Sequence, residues 1–218
     1  GCLSPRQYRI GGFIQGVIAV SSSRHTIVHF ADYGAPYCGN FISSIMSLAL
    51  SLRKLNCRIV LVLPSRAKKA NWFEEILDCK YCDLYIADES APLNKKVQMV
   101  LSIIKKEKPT IIHSHFTTFD AAIMIAYIIQ GNKLNPRLFF HRHGCFIEKS
   151  IKRKIKDYIL FKMLYPKNAV TIAVSNAVLN QEKSRGLSSE KAVMIENGIC
   201  FDRLSIVVPD FWTGFKCV

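Results

Sequence analysis

From residue 25 onward the chain alternates short β-branched apolar runs with longer stretches whose apolar residues recur every three or four positions. The first pattern suits buried strands and the second amphipathic helices, so their alternation predicts βαβ units and a parallel sheet. Strands are expected at residues 25–30, 58–63, 83–87, 110–115, 137–143, 170–175 and 192–195, with helices at 40–55, 69–77, 93–106, 118–130, 149–164 and 176–185. A run that is apolar throughout, such as 59–63, belongs in a sheet covered on both faces. The expected fold class is therefore α/β, a doubly wound, Rossmann-like parallel sheet. Pro109, Gly131 and Gly186 each stand where a helix should stop. Residues 1–24 fit no element and read as a flexible tail, 25–202 as the domain, and 203–218 as a hinge remnant or truncated tail.

Composition narrows the partners more than the fold. A chain of 218 residues, 50% apolar, can bury one substantial core. Its 30 Lys and Arg against 16 Asp and Glu give a net charge of +14, which implies an anionic partner: nucleic acid, phospholipid or a phosphorylated substrate. The eight cysteines lack the dense spacing of a disulfide scaffold, and several sit in apolar runs, which points to a reducing, cytosolic compartment. Cys79 and Cys82 form a lone C-x-x-C without a second ligand pair for zinc or the setting of a redox motif, so they read as packing residues. Segment 10–20 carries Gly11, Gly12, Gln15 and Gly16, which argues against a secretion signal, and no apolar stretch reaches the roughly 18 residues of a spanning helix.

In open parallel sheets, ligands bind beyond the carboxyl ends of the strands. After the first expected strand come Gly34 and Gly39, with Asn40 opening a long helix. A glycine at a helix entry lets backbone N–H groups approach a phosphate under the helix dipole. The segment matches neither G-x-G-x-x-G nor a P-loop, and an ordinary βα loop fits it equally well.

All six histidines lie on or at the ends of expected strands. His113 with His115, and His141 with His143, are i, i+2 pairs that share a strand face and could offer two imidazoles to one metal ion. A metal-dependent hydrolase built on them needs acidic ligands nearby, for which Asp32 and Asp120 are the candidates. Packing or hydrogen-bonding roles suit His25, His29, His113 and His141 better, and no bound transition metal is expected.

Residues 149–167 carry seven Lys and Arg against one acid, Asp157. Ile151, Ile155, Tyr158, Ile159 and Met163 recur at helical spacing, so Lys152, Arg153, Lys154 and Lys156 crowd the opposite side. A solvated face explains such a run, and so does docking onto anionic lipid. No helix-turn-helix, RNA-recognition or zinc-finger pattern supports nucleic acid as the partner.

Five segments in order carry a resemblance: Cys38-Gly39-Asn40 before the long helix, the strand from Lys108 to His115, Phe140-His141-Arg142-His143-Gly144, Ala173-Val174-Ser175-Asn176-Ala177, and Ile195-Glu196-Asn197-Gly198-Ile199. Together, over about residues 25–202, they resemble the N-terminal, acceptor-side domain of the family 4 retaining glycosyltransferases of the GT-B fold. The resemblance implies two Rossmann-like domains facing across a cleft, a hexosyl group transferred from a nucleotide-sugar co-substrate without another cofactor, and a glycan or lipid-linked acceptor. It implies that Gly39 and Asn40 border the donor diphosphate and acceptor, that His143 reaches the transferring sugar or its phosphate, and that His115 and Gly144 join them in binding substrate. Ser175, Asn176, Asn197 and Gly198 would line the cleft near the hinge. The family usually shows a second glycine beside Gly39, Pro in place of Glu196 and Asp in place of Cys200.

The donor domain of that family, with a basic pair and two glutamates seven residues apart, has no room in these 218 residues. Glu182 and Glu190 have the spacing without the Phe and Gly that follow the first glutamate, and read as coincidence. The expectation is an incomplete enzyme of polysaccharide biosynthesis, inactive alone, cytoplasmic and peripheral at the inner face of the membrane, needing a donor domain from elsewhere. The rival readings are the metal-dependent hydrolase, a non-enzymatic membrane-recruiting GT-B half, and a sugar-nucleotide 2-epimerase of the same fold.

Overall fold

A computed structural model describes residues 25–79, 82–131, 134–144 and 159–198. All seven expected strands form, with ends shifted by no more than two residues: β1 His25–Ala31, β2 Cys57–Pro64, β3 Cys82–Ala87, β4 Ile111–His115, β5 Arg137–Arg142, β6 Ala169–Ala173 and β7 Ala192–Met194. They make one parallel sheet in the order β3-β2-β1-β4-β5-β6-β7. Every carboxyl end therefore lies along one edge. The winding direction reverses between β1 and β4, and that switch point is where a crevice opens in sheets of this kind.

The helices are α1 Asn40–Arg53, α2 Phe73–Leu77, α3 Leu93–Glu107, α4 Asp120–Gln130 and α5 Asn176–Ser184. The expected helix at 69–77 is a correction: a 3₁₀ turn at Ser65–Lys69 and the short α2 are separated by Ala70 in an extended conformation. Trp72 explains the break, because its buried indole N–H donates to the Ala35 carbonyl at 2.8 Å and anchors the chain there. Most of the expected basic helix at 149–164, and the segments 1–24 and 203–218, lie outside the described residues. The stop signals act as anticipated: Lys108, before Pro109, closes α3 with φ 45°, while Gly131 and Gly186 adopt φ 60° and 103° beyond α4 and α5.

Both faces of the sheet are covered. Val28, Phe30, Val60, Val62, Ile112, Leu138 and Phe140 pack on α3 and α4 through Val100, Ile104 and Ile123. On the other face Ala31, Leu61 and Leu63 pack on Ile42 and Ile45 of α1 and on Phe73 and Ile76 of α2. Each such buried Val, Leu, Ile or Phe side chain contributes about 1.5–3 kcal/mol before ordering entropy is counted.

One ionic cluster pins the carboxyl edge from beneath. Arg142, at the end of β5, is fully buried on the α3/α4 face and pairs with Asp120 at the start of α4 and with Glu182 of α5, the latter at 3.2 Å. Asp120 also accepts from the Ser114 hydroxyl at 2.6 Å, and Glu182 also pairs with Arg185. Glu182 is thus structural, as its spacing to Glu190 alone could not say. Removing one partner strands the others' charge, so Arg142→Met is expected to lower the unfolding free energy by about 3–5 kcal/mol. Urea titration followed by circular dichroism measures this, and a loss below about 1 kcal/mol would show the cluster to be dispensable.

Candidate functional site

Side chains alternate faces along a strand. With Val28, Phe30, Ile112, Ser114, Phe140 and Arg142 committed to the α3/α4 face, His29, His113, His115 and His141 point to the other. Register sets His29 beside His113 and His115 beside His141, and His143 follows β5. The rings stack closely, with centroids 4.1 Å apart for His113 and His115 and 4.2 Å for His141 and His143. His29 Nδ1 lies 3.2 Å from His115 Nε2, and His115 Nδ1 lies 3.1 Å from His143 Nε2. A cleft of about 260 Å³ sits over these rings, walled by Asn40, Phe41, Ser44, Ile45 and Leu48 of α1 and by Glu196, Asn197 and Gly198.

The loop after β4 is strained into place. Phe116 and Thr117 adopt φ 65° and 58°, a left-handed conformation costing non-glycine residues about 1–3 kcal/mol each. Thr118 holds the loop by donating to the Asp32 carboxylate, which Arg66 also binds at 2.5 Å, while Arg66 reaches Glu89 at 3.1 Å. As a result the Phe116 ring stacks on His143, centroids 4.4 Å apart, and meets Phe41 edge-on. Tyr33 packs against both phenylalanines, and its hydroxyl accepts the Gly39 N–H at 3.1 Å. A Cβ on Gly39 would come within 2.3 Å of that hydroxyl, so the glycine admits Tyr33 and its amide is already committed.

Burial keeps the imidazoles neutral. It lowers the pKa of His29, His141 and His143 to about 4, helped by the charges of His141, Arg142 and His141 respectively. His113 and His115 fall well below the usual histidine range, again chiefly through burial. No Lys or Arg lines the cleft among the described residues, and Glu196 is its one charged lining residue.

Two triads, His29 with His113 and His115, and His115 with His141 and His143, bring ring nitrogens within 4.8 Å of one another, close enough to share an ion. The acids expected to complete a hydrolase site are elsewhere: Asp120 is on the opposite face with Arg142, and Asp32 is taken by Arg66 and Thr118. Among the described residues no carboxylate or carbonyl backs any of the five rings, whereas a ligating histidine nearly always has one. His25 is a further correction: it is exposed, not packed, because it opens β1 at the edge away from the cleft.

Of the residues singled out in the sequence, Asn40, His115, His143, Asn197 and Gly198 meet in the cleft. Gly39 lies behind its wall, and Gly144 is exposed just past His143. Ser175 caps α5, its hydroxyl accepting from the Val178 N–H at 3.3 Å, and neither it nor Asn176 lines the cleft. Lys152, Arg153, Lys154 and Lys156 lie outside the described residues. Phe41, Phe116 and Leu48 were not anticipated. An aromatic next to a strand-end histidine was the available signal for Phe116, and a leucine on the exposed side of α1 for Leu48. Burial pushes the Cys82 thiol up to about 12, with Cys79 adding to the effect, as befits a packing residue.

The sequence matches Glycosyltransferase Family 4 over residues 43–203. No curated protein sequence matches it. Among solved structures the chain is similar to Anabaena Alr3699/HepE in complex with UDP and glucose, with a TM-score of 0.57 and 16% identity over 82% of this chain and 46% of that one. It is also similar to a glycosyltransferase from Rickettsia africae ESF-5, at 0.59 and 16% over 86% and 47%. The apo form of the lipopolysaccharide outer core galactosyltransferase WaaB gives 0.57 and 15% over 80% and 46%. The chain spans about half the length of each.

Neutral buried histidines make stability depend on pH. With folded values near 4 for His29, His141 and His143 against 6.5 in the unfolded chain, the unfolded state takes protons first. Stability should be full above pH 6.5 and fall as the pH drops towards 4, by up to ~1.4 kcal/mol per pH unit for each ring. Urea midpoints at pH 7, 6 and 5 are expected to decrease in that order, and a constant midpoint contradicts the burial argument.

Proposed function

Because the chain belongs to glycosyltransferase family 4, we propose that it is the acceptor-side half of a retaining enzyme that moves a hexose from a nucleotide-sugar to a glycan or lipid-linked acceptor. The observation that carries this reading is the chemistry of the cleft. Neutral imidazoles and asparagine amides offer both donors and acceptors to hydroxyl groups, and Phe41, Ile45 and Leu48 offer an apolar wall to the flat face of a sugar ring. At about 260 Å³ the space lies just below the usual range of small-ligand pockets, about 300–1,000 Å³.

A departing diphosphate needs cations or fixed N–H dipoles where its charge develops. The cleft walls described contain no cation, and the Gly39 N–H is occupied by Tyr33. Most of that charge is therefore assigned to a second domain, and this half to holding the acceptor and the uncharged sugar; from this side the first turn of α1, which has no side-chain cap, adds only its dipole. The UDP and glucose held by HepE support a nucleotide-sugar donor as the co-substrate. Within this scheme His143, on the cleft floor beside Phe116, contacts the transferring sugar.

The cationic stretch 149–167 suits a cytoplasmic enzyme docked at an anionic membrane surface, where its acceptor is presented. Among the described residues no helix is long and apolar enough to cross a membrane. The chain is expected to bind phosphatidylserine vesicles in co-sedimentation at low salt, each Lys or Arg near the surface contributing about 1 kcal/mol. Changing Lys152, Arg153, Lys154 and Lys156 to Gln should release it, and unchanged binding would reduce the stretch to a solvated face.

The 218-residue chain by itself is expected to transfer no sugar from any nucleotide-sugar, and to gain activity when a matching donor domain is supplied. Half a cleft cannot align donor and acceptor, and a misplacement of ~1 Å costs about a hundredfold in rate. In the complemented enzyme, His143→Ala should lower kcat by about a hundredfold while changing acceptor KM little. Robust transfer by the chain alone contradicts the half-enzyme reading, whereas an unaffected His143→Ala enzyme contradicts only the residue's role.

A further inference from the structure

Behind His143 lie two buried imidazoles, His29 and His115, whose ring-to-ring contacts the proposed sugar site does not use. The contacts of 3.2 Å from His29 Nδ1 to His115 Nε2 and 3.1 Å from His115 Nδ1 to His143 Nε2 join the three rings in a line from the sheet interior to the cleft. Each contact requires one N–H and one bare nitrogen. His115 is buried and neutral, so it carries a single proton and can donate in only one of its two contacts.

Two arrangements satisfy both contacts. In one, His29 donates to His115 and His115 donates to His143, which leaves His29 Nε2 as a bare lone pair. In the other the direction is reversed, and His29 Nε2 must carry the proton. That nitrogen is buried and has no hydrogen-bond partner among the described residues. An orphaned buried N–H is rarer in folded proteins than an under-used acceptor, so the first arrangement is favoured.

The geometry points to His115, backed by His29, as a positioning residue that holds His143 in its Nδ1–H tautomer by donating to its Nε2. His143 then meets its ligand as an uncharged hydrogen-bond donor through Nδ1, suited to an oxygen lone pair of a sugar hydroxyl and unsuited to abstracting a proton. That use rests on the proposed sugar site; the tautomer itself does not. The two contacts satisfy both nitrogens of His115, the most enclosed of the rings that touch His143, whereas His113 and His141 stand outside the line with buried nitrogens that have no partner among the described residues.

The test is a long-range ¹H–¹⁵N correlation spectrum of the ¹⁵N-histidine-labelled 218-residue chain at pH 7, which reads the tautomer of each ring. His29, His115 and His143 are all expected as Nδ1–H with bare Nε2, opposite to the Nε2–H form that free imidazole side chains favour in water. Nε2–H at any of the three overturns the proposal. In His115→Phe, which keeps a ring in place, His143 should revert to Nε2–H; a His143 that stays Nδ1–H there overturns the role of His115. If that variant does not fold, the wild-type spectrum decides alone. Neither measurement involves a donor domain or substrate, so failure here is separate from failure of the transfer experiment.

Discussion

The period of two along β1, β4 and β5 governs this molecule, because it sorts packing from chemistry strand by strand. Val28 and Phe30, Ile112 and Ser114, and Phe140 and Arg142 take one face, where α3 and α4 seal them. The intervening positions, His29, His113, His115 and His141, take the other. A one-residue slip in any pairing would exchange the two sets. The register between β1 and β4 and between β4 and β5 therefore assembles the imidazoles, and the Arg142 cluster beneath, reaching α4 and α5, opposes such a slip.

The two faces solve the problem of buried polarity differently. On the α3/α4 face a full charge is buried and compensated by two carboxylates. On the cleft face no carboxylate among the described residues bonds the rings, and burial instead keeps the imidazoles neutral. Neutral rings suit a hydroxyl-rich ligand. The overall charge of +14 consequently says nothing about the cleft, since none of it lines the walls described.

The strained loop at Phe116 and Thr117 links the two halves of this arrangement. Asp32, just past β1, restrains Thr118, and the left-handed turn immediately before Thr118 aims Phe116 onto His143. Conformational strain of this kind persists only where surrounding contacts over-determine it. Here the contacts are the Asp32–Arg66–Glu89 chain on one side and the Phe41–Tyr33 aromatic packing on the other.

By itself the sequence determined the seven strands, most helices and the place of each stop, because alternation, apolar periodicity and the φ preferences of Gly and Pro are local properties. Order and spacing of short segments also carried the family, and with it Asn40, His115, His143, Asn197 and Gly198 as cleft residues. Tertiary structure alone decided the rest. Nothing local showed that Trp72 would break a helix to reach Ala35, that Ser175 would be spent on a cap, or that Asp120 would turn away from the histidines to pair with Arg142. The line from His29 through His115 to His143 joins residues 86 and 28 positions apart, and the Gly39 amide is claimed by a tyrosine six residues back. Such contacts depend on strand order, register and the face each side chain occupies, which are properties of the assembled sheet and not of any segment of the chain.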